Sequence, residues 1–469
     1  MSEKIRHYLG LDDYRLRQKN ESFPCYYEPD QLINAHMLLC GMSGTGKTFQ
    51  TLRMLDSAAS AGVMVDVFDV HDELQGVYGA TVCLYSQATE YGYNPLELET
   101  DPHTGGVSRQ VDFIVGLIRS ATSQFGSKQE SALRYLLTDT YAASGIFQRD
   151  PRTWRREKIS TRLREQIIED RQWGELRRYY PTMDDLRSYA KRKVTALMIG
   201  GDNKAITALD QLSRAKGRLH SMMTKANRAV NESDRDKMQK SVDKIKFECI
   251  DYFSSYVNEM QTGREIDDVM KYDSMDVLTS VIQRLDILNS AGIFGANEPP
   301  FHDAKVRVHQ IKSLSNEQQI LFVKLRLREL FERYKRMGAT QSGTEIRHII
   351  FLDEAHKYFT SDHDDIINVI AKEARKFGIG LWCASQQPTE FPESFLTNVG
   401  STVLLGIHPN FWKKSASLLR INEDQLKWIK PKEVLSIKLQ KNGQADPPFV
   451  NVIVPNPKTH QGNRAASFS

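Results

Sequence analysis

At 469 residues, with 40% apolar and 26% charged side chains, the chain has the composition of a soluble globular protein of roughly two to three domains or one large elaborated one. Its five cysteines, at 25, 40, 83, 249 and 383, show no paired spacing, which excludes a disulfide framework or a cysteine zinc site. The net charge of +4 does not by itself imply nucleic acid; no apolar run approaches the ~18 residues of a membrane helix, and the opening MSEKIRHYLGLDDYRLRQ lacks a signal-peptide core, so a cytoplasmic protein without membrane contact is expected.

The first element that carries chemistry is HMLLCGMSGTGKTFQ. An apolar run, Met37 to Cys40, reads as a strand, G-x-x-x-x-G-K-T spans Gly41 to Thr48, and a helical segment follows. A strand turning through glycines into a helix lets backbone N–H groups, from Gly41 through Ser43, Gly44, Thr45 and Gly46, surround a β-phosphate. Lys47 then reaches the β- and γ-phosphates, and the Thr48 hydroxyl binds Mg²⁺. A strand at 63–69 follows. Between roughly 105 and 300 strand signals vanish, and a 3–4-residue apolar spacing over 206–230 reads as helical packing. Residues 151–230 hold 19 Lys or Arg against 9 Asp or Glu, which fits either a solvated helical face or a surface that follows a phosphate backbone.

Strand patterns resume at 306–311, 348–352, 379–384 and 402–406, alternating with helical segments. SNEQ at 315–318 is a capping box, and Gly338 closes the helix it opens. The pattern predicts an α/β fold: a RecA-like P-loop core with a mostly parallel sheet and a large inserted α-helical bundle. The expected boundaries are 1–30 for an N-terminal extension, 31–104 and 301–455 for the core, 105–300 for the helical insertion and 456–469 for a disordered tail.

The strand at 348–352 runs into Asp353-Glu354-Ala355-His356, which resembles the box of a two-lobed DEAH helicase. Such a helicase needs a second lobe of roughly 150 residues after the box. Only 110 residues follow Phe359, and the first of them read as completion of the same sheet. The downstream S-A-T motif is also absent. The acidic pair is therefore read as a Walker B element: Asp353 holds Mg²⁺, and Glu354 polarises the attacking water. His356 is read as structural. Ser385-Gln386-Gln387 ends a strand where an amide can sense a γ-phosphate. With one lobe, the arginine that neutralises developing charge has to come from a neighbouring subunit, and Arg375 in AKEARKFGIG is the candidate.

Taken together, these segments resemble the HerA/FtsK group of ring-forming DNA translocases, HerA-like ATPases most closely. The shared features are His36 before the P-loop strand, VDVFDVHDEL (65–74), YNPLEL (93–98), the hhhhDEAH strand, and a near-continuous block from 373 to 412. The resemblance implies that Asp69 and Glu73 belong to the nucleotide site, that Arg375 acts in trans, and that Gln386 is the sensor. It implies ATP and Mg²⁺ as cofactors, a homo-hexamer, duplex DNA bound without sequence preference, and a partner nuclease or other effector in repair or anti-phage defence. HerA relatives commonly begin with a β-barrel, whereas here the P-loop already starts at Gly41. Two other readings share the site: an ATP-gated scaffold ring that switches an effector without translocating, and a conjugation or packaging motor.

Overall fold

The computed structural model describes residues 4–455 apart from 90, 123–124, 200–203, 229–231, 260–270, 273, 296 and 341–344; the tail 456–469, read above as disordered, lies outside the described residues. The chain divides into two compact units, Met1–Tyr93 with Ala291–Ile293 and Asn297–Ser469, and Asn94–Ser290 with Phe294–Ala296.

The first unit is built on eleven strands: β1 (His7–Asp12), β2 (Pro24–Tyr27), β3 (Met37–Cys40), β4 (Met64–Asp69), β5 (Ala80–Leu84), β6 (Val306–Gln310), β7 (His348–Leu352), β8 (Ile379–Ser385), β9 (Ser401–Leu404), β10 (Val434–Leu439) and β11 (Val450–Ile453). They form one sheet in the order β2-β1-β11-β10-β9-β3-β8-β7-β4-β6-β5. Every pairing from β9 to β5 is parallel, and every pairing from β9 outward to β2 is antiparallel. The central strands β3 (MLLC), β7 (HIIFL) and β8 (IGLWCAS) are buried along their whole length, the signature of parallel strands covered on both faces.

A carboxylate in the middle of such a sheet needs partners. Asp66 on β4 is fully buried, with His309 Nε2 of β6 2.7 Å from one oxygen and His348 Nε2 of β7 2.8 Å from the other. Burial alone would raise this carboxyl, but the two imidazoles outweigh it and hold Asp66 well below the usual range. The cluster ties β4 to both its neighbours, and β4 and β7 carry the acidic ends of the site.

The helix Asn316–Met337 shows the predicted capping box: Ser315 Oγ accepts from Gln318 N at 3.3 Å, and Gln318 Oε1 accepts from Ser315 N at 3.0 Å. Gly338 ends it at a positive φ of 81°. The second unit is helical among its described residues. Helices Val107–Ala121, Ser127–Ala143, Met183–Ile199 and Met275–Asn289 pack together through Leu133, Leu136, Leu186, Leu278 and Leu285, while Lys204–Arg228 and Glu232–Glu259 pack along each other.

Candidate nucleotide site

β3 ends in the glycine loop, and the helix Lys47–Ser60 starts from it. Gly44 (φ 78°) and Gly46 (φ 97°) both lie in the left-handed region that a side chain makes costly. The loop is anchored at three points: Gly41 N donates to Ser385 O of β8 at 3.1 Å, Thr45 Oγ1 donates to Met42 O at 2.7 Å, and Lys432 N donates to Thr45 O at 3.1 Å. Ser43 and Gly44 are exposed at the tip, and no heavy atom lies within 4 Å of a Cβ built on Gly44, so the cradle is open to an anion.

The acidic strand comes to this loop from two positions over. Lys47 Nζ lies 3.2 Å from Glu354 Oε1, both side chains largely buried. Glu354 has φ 45°, a left-handed conformation that costs roughly 1–3 kcal/mol in a residue with a Cβ and turns its carboxylate toward the P-loop. The Thr48 hydroxyl donates to Glu73 Oε2 at 2.7 Å. Asp69, at the end of β4, accepts from the backbone N–H groups of His71 (3.1 Å), Glu73 (3.3 Å) and Leu74 (2.8 Å). Both its oxygens therefore fold the turn that presents His71 and Glu73.

Two histidines complete the group, and sequence reasoning did not place either in it. His71 Nε2 is 3.9 Å from Glu354 and 4.0 Å from Asp353, inside the quoted VDVFDVHDEL but passed over among its acidic neighbours. His356, read as a structural residue, lies 2.9 Å from Ser385 Oγ, 3.5 Å from Glu354 and 3.6 Å from Glu390. Its position in the one-turn helix Ala355–Tyr358 aims it back at the carboxylates.

No cluster of three metal-ligating side chains exists among the described residues. A Mg²⁺ carried by a nucleotide needs only one or two protein oxygens, because phosphates and water fill the rest. The Thr48 hydroxyl and the Asp353 carboxylate, with Glu73 beside Thr48, are a donor set of that kind. Burial above all pushes the Asp353 carboxyl up to about 6, against the pull of Lys47 and His71 and with Glu354 and Asp69 adding to it. A buried carboxylate so short of positive charge is suited to a divalent cation.

This shift has a testable consequence for the metal-free protein. The folded value of about 6 exceeds the unfolded 3.8, so Asp353 lends stability below pH 3.8 that is lost as pH rises through about 6. Asp353→Asn, without nucleotide or metal, is expected to be more stable than the wild type at pH 7 by on the order of 2–3 kcal/mol. The gap should close toward pH 4. Thermal melting at both pH values checks this, and a variant melting at or below the wild type at pH 7 contradicts it.

The remaining predicted residues fall in two places. Gln386 is exposed at the end of β8, beside the P-loop start, while Gln387 Nε2 bonds Glu390 at 3.2 Å. Arg375 is exposed on the turn Ala374–Phe377, before β8 begins. β3 and β8 run parallel with Met37 opposite Trp382 and Cys40 opposite Ser385, so the P-loop leaves the end of the sheet opposite Arg375. Seven residues of β8 separate them, roughly 20 Å. Arg375 instead lies near His36, which burial, with the Arg375 charge adding to it, pushes down to about 4. His36 is a stitch between strands: its Nδ1 accepts from Leu381 N at 3.0 Å, and its carbonyl from Ser401 N at 3.1 Å.

A cavity of about 220 Å³ adjoins the P-loop, with Phe49, Leu435, Val454 and the stem of Lys432 among its walls. Three of these come from beyond residue 430, far from any nucleotide motif in the sequence.

The family model described as "Helicase HerA, central domain" matches residues 15–357, well over half of the chain. Over 188 residues the chain is 28% identical to "Probable helicase MJECL08" of Methanocaldococcus jannaschii, covering 37% of this chain and 34% of that one. Over 108 residues it is 28% identical to the "DNA double-strand break repair helicase HerA" of Saccharolobus solfataricus, covering 22% of each. The matches thus span about a third or less of these relatives' own lengths. Among solved structures, VirB4 of Thermoanaerobacter pseudethanolicus shares the fold, with a TM-score of 0.62 over 97% of this chain and 98% of that one at 13% identity. With a RecA-like core, a P-loop facing an acidic strand and a family match across most of its length, the chain belongs to the HerA helicase central-domain family of P-loop ATPases.

Proposed function

We propose that this protein hydrolyses ATP with Mg²⁺ and uses the cycle to move duplex DNA through a homo-hexameric ring, working in the cytoplasm with a partner nuclease or other effector. The observation that carries the reading is the Lys47–Glu354 pair, which brings the phosphate-binding lysine and the acidic strand to one point. Bound Mg²⁺ would supply charge neutralisation at the transferring phosphoryl group. The chain's own residues do the rest. Backbone N–H groups of residues 43–48 orient the phosphates at the helix N-terminus, and Lys47 exchanges its carboxylate partner for them. Thr48, released from Glu73, and Asp353 would hold the metal, while Asp69 keeps the turn that carries Glu73 in register. Glu354, freed from Lys47, takes the proton of the attacking water, with His356 and His71 flanking its carboxylate. Gln386 senses the γ-phosphate from β8, and Arg375 of one subunit completes the site of the next. The cavity beside Gly46 and Phe49 takes the nucleobase.

The experiment that tests coupling to DNA is ATP turnover with and without duplex. Several-fold stimulation by duplex, independent of its sequence and weakened by salt, is the expected result. Turnover indifferent to DNA but dependent on a partner protein would sink the translocase reading in favour of an ATP-gated scaffold.

A further inference from the structure

The helical unit holds a cavity of about 500 Å³ whose walls include four aromatic residues, Trp173, Tyr179, Tyr180 and Tyr189, and three arginines, Arg164, Arg177 and Arg192. Its volume is that of a small-molecule site. The arginines differ in what they already hold. Arg164 is bound to Asp185, Nη2 to Oδ1 at 2.6 Å, and Asp185 also accepts from Thr182 N and Thr182 Oγ1. That acid's charge is thereby used within the fold. Arg177 and Arg192 are exposed and form no ion pair with a described residue; Arg192 stands 5.8 Å from the Tyr189 ring.

The aromatics divide in the same way. Tyr180 is a packing residue, buried with its hydroxyl donating to Trp154 O at 3.0 Å. Trp173 is 59% exposed, and its neighbours Tyr179 and Tyr189 are half-buried at the cavity wall. A large ring left open beside unpaired guanidinium groups contributes little to packing. It is the arrangement that binds a planar ring with an attached anion. A bare polyanion would need only the arginines, and an apolar ligand would leave them unpaired. In duplex DNA the base faces are already stacked and out of reach.

We propose that this cavity is a second nucleotide site, separate from the P-loop, in which an unstacked base lies against Trp173, Tyr179 and Tyr189 while Arg177 and Arg192 hold its phosphate. The same chemistry is presented by a free mononucleotide and by a nucleotide within a single strand. The site draws on none of the P-loop residues, so either reading can fail without the other.

Photo-cross-linking on the full chain, with saturating Mg²⁺-ADP present to occupy the P-loop, tests it. The probes are 5-iodo-deoxyuridine monophosphate and a single strand of about 12 nucleotides carrying 5-iodouracil, a length within the span of one such module. Adducts mapped by mass spectrometry are expected at Trp173, Tyr179 or Tyr189. Labelling by the mononucleotide assigns the site to free nucleotides, and labelling by the strand alone assigns it to single-stranded nucleic acid. Arg177→Gln/Arg192→Gln should lower the yield at least about tenfold. Trp173→Ala should weaken strand or mononucleotide binding at least about fivefold, with melting curves unchanged in both variants. No adduct within 173–192 from either probe, or yields and affinities unchanged in both variants, overturns the proposal. So does equal protection by competing duplex and single strand.

Discussion

Glu354→Gln is expected to lower ATP turnover at least ~10²-fold while ATP still binds, because general-base assistance is typically worth that much. The amide keeps the shape of the side chain and the left-handed backbone at 354 (φ 45°), so the local fold is retained. It cannot take a proton from water. It also releases Lys47 from its 3.2 Å ion pair, which leaves the ammonium available to phosphates and should hold or raise nucleotide affinity. Lys47→Ala should act in the opposite way and impair binding itself. A fluorescent ATP analogue for affinity and a phosphate-release assay for turnover separate the two. Near-normal turnover in Glu354→Gln would mean that the acidic pair has been assigned to the wrong chemistry.

Arg375→Ala should cost more, on the order of 10³-fold in turnover with nucleotide affinity nearly unchanged, since such an arginine acts on the transition state. The geometry of one chain makes this a demanding prediction. Arg375 sits before β8, and its own P-loop lies beyond the far end of the parallel strand β3. A loss of that size from a surface residue roughly 20 Å from its own site has no explanation within a monomer. It follows directly if a neighbouring copy supplies the arginine. A loss of less than twofold would leave Arg375 as a surface charge that also lies near His36.

The parts of the fold that were legible in the sequence are the ones buried on both faces. MLLC, IIFL and GLWCA are unbroken apolar runs, and parallel central strands have to be apolar on both sides. The antiparallel wing was not legible. HYLGLD, VLSIKL and VNVI are short and mix polar with apolar residues, and their pairing joins residues 7–27 to 434–453, far apart in the chain. Strand β5 (ATVCL), against the outer side of β6, was missed for the same want of a long apolar run. Within the site, Lys47, Thr48, Asp353 and Glu354 were readable because each motif encodes its own local geometry. His71 and His356 were not, since their roles appear only when β4, β7 and β8 lie side by side. Asp69 was placed in the nucleotide site by an acidic signature; a motif does not tell an acid that faces a ligand from one that caps a turn, and in the structure its oxygens accept three backbone hydrogen bonds from the turn that carries Glu73.

The central claim is a composite site, with P-loop and Glu354 from one copy and Arg375 from the next. Mixing Glu354→Gln with Arg375→Ala tests it most directly. In a mixed ring some interfaces pair an intact Glu354 with an intact Arg375, so two inactive proteins should recover part of the wild-type ATP turnover, the amount depending on the mixing ratio. Particle mass measured in parallel with ATP present should be that of an oligomer. No recovery at any ratio, together with a monomeric mass at micromolar concentration, would contradict the account.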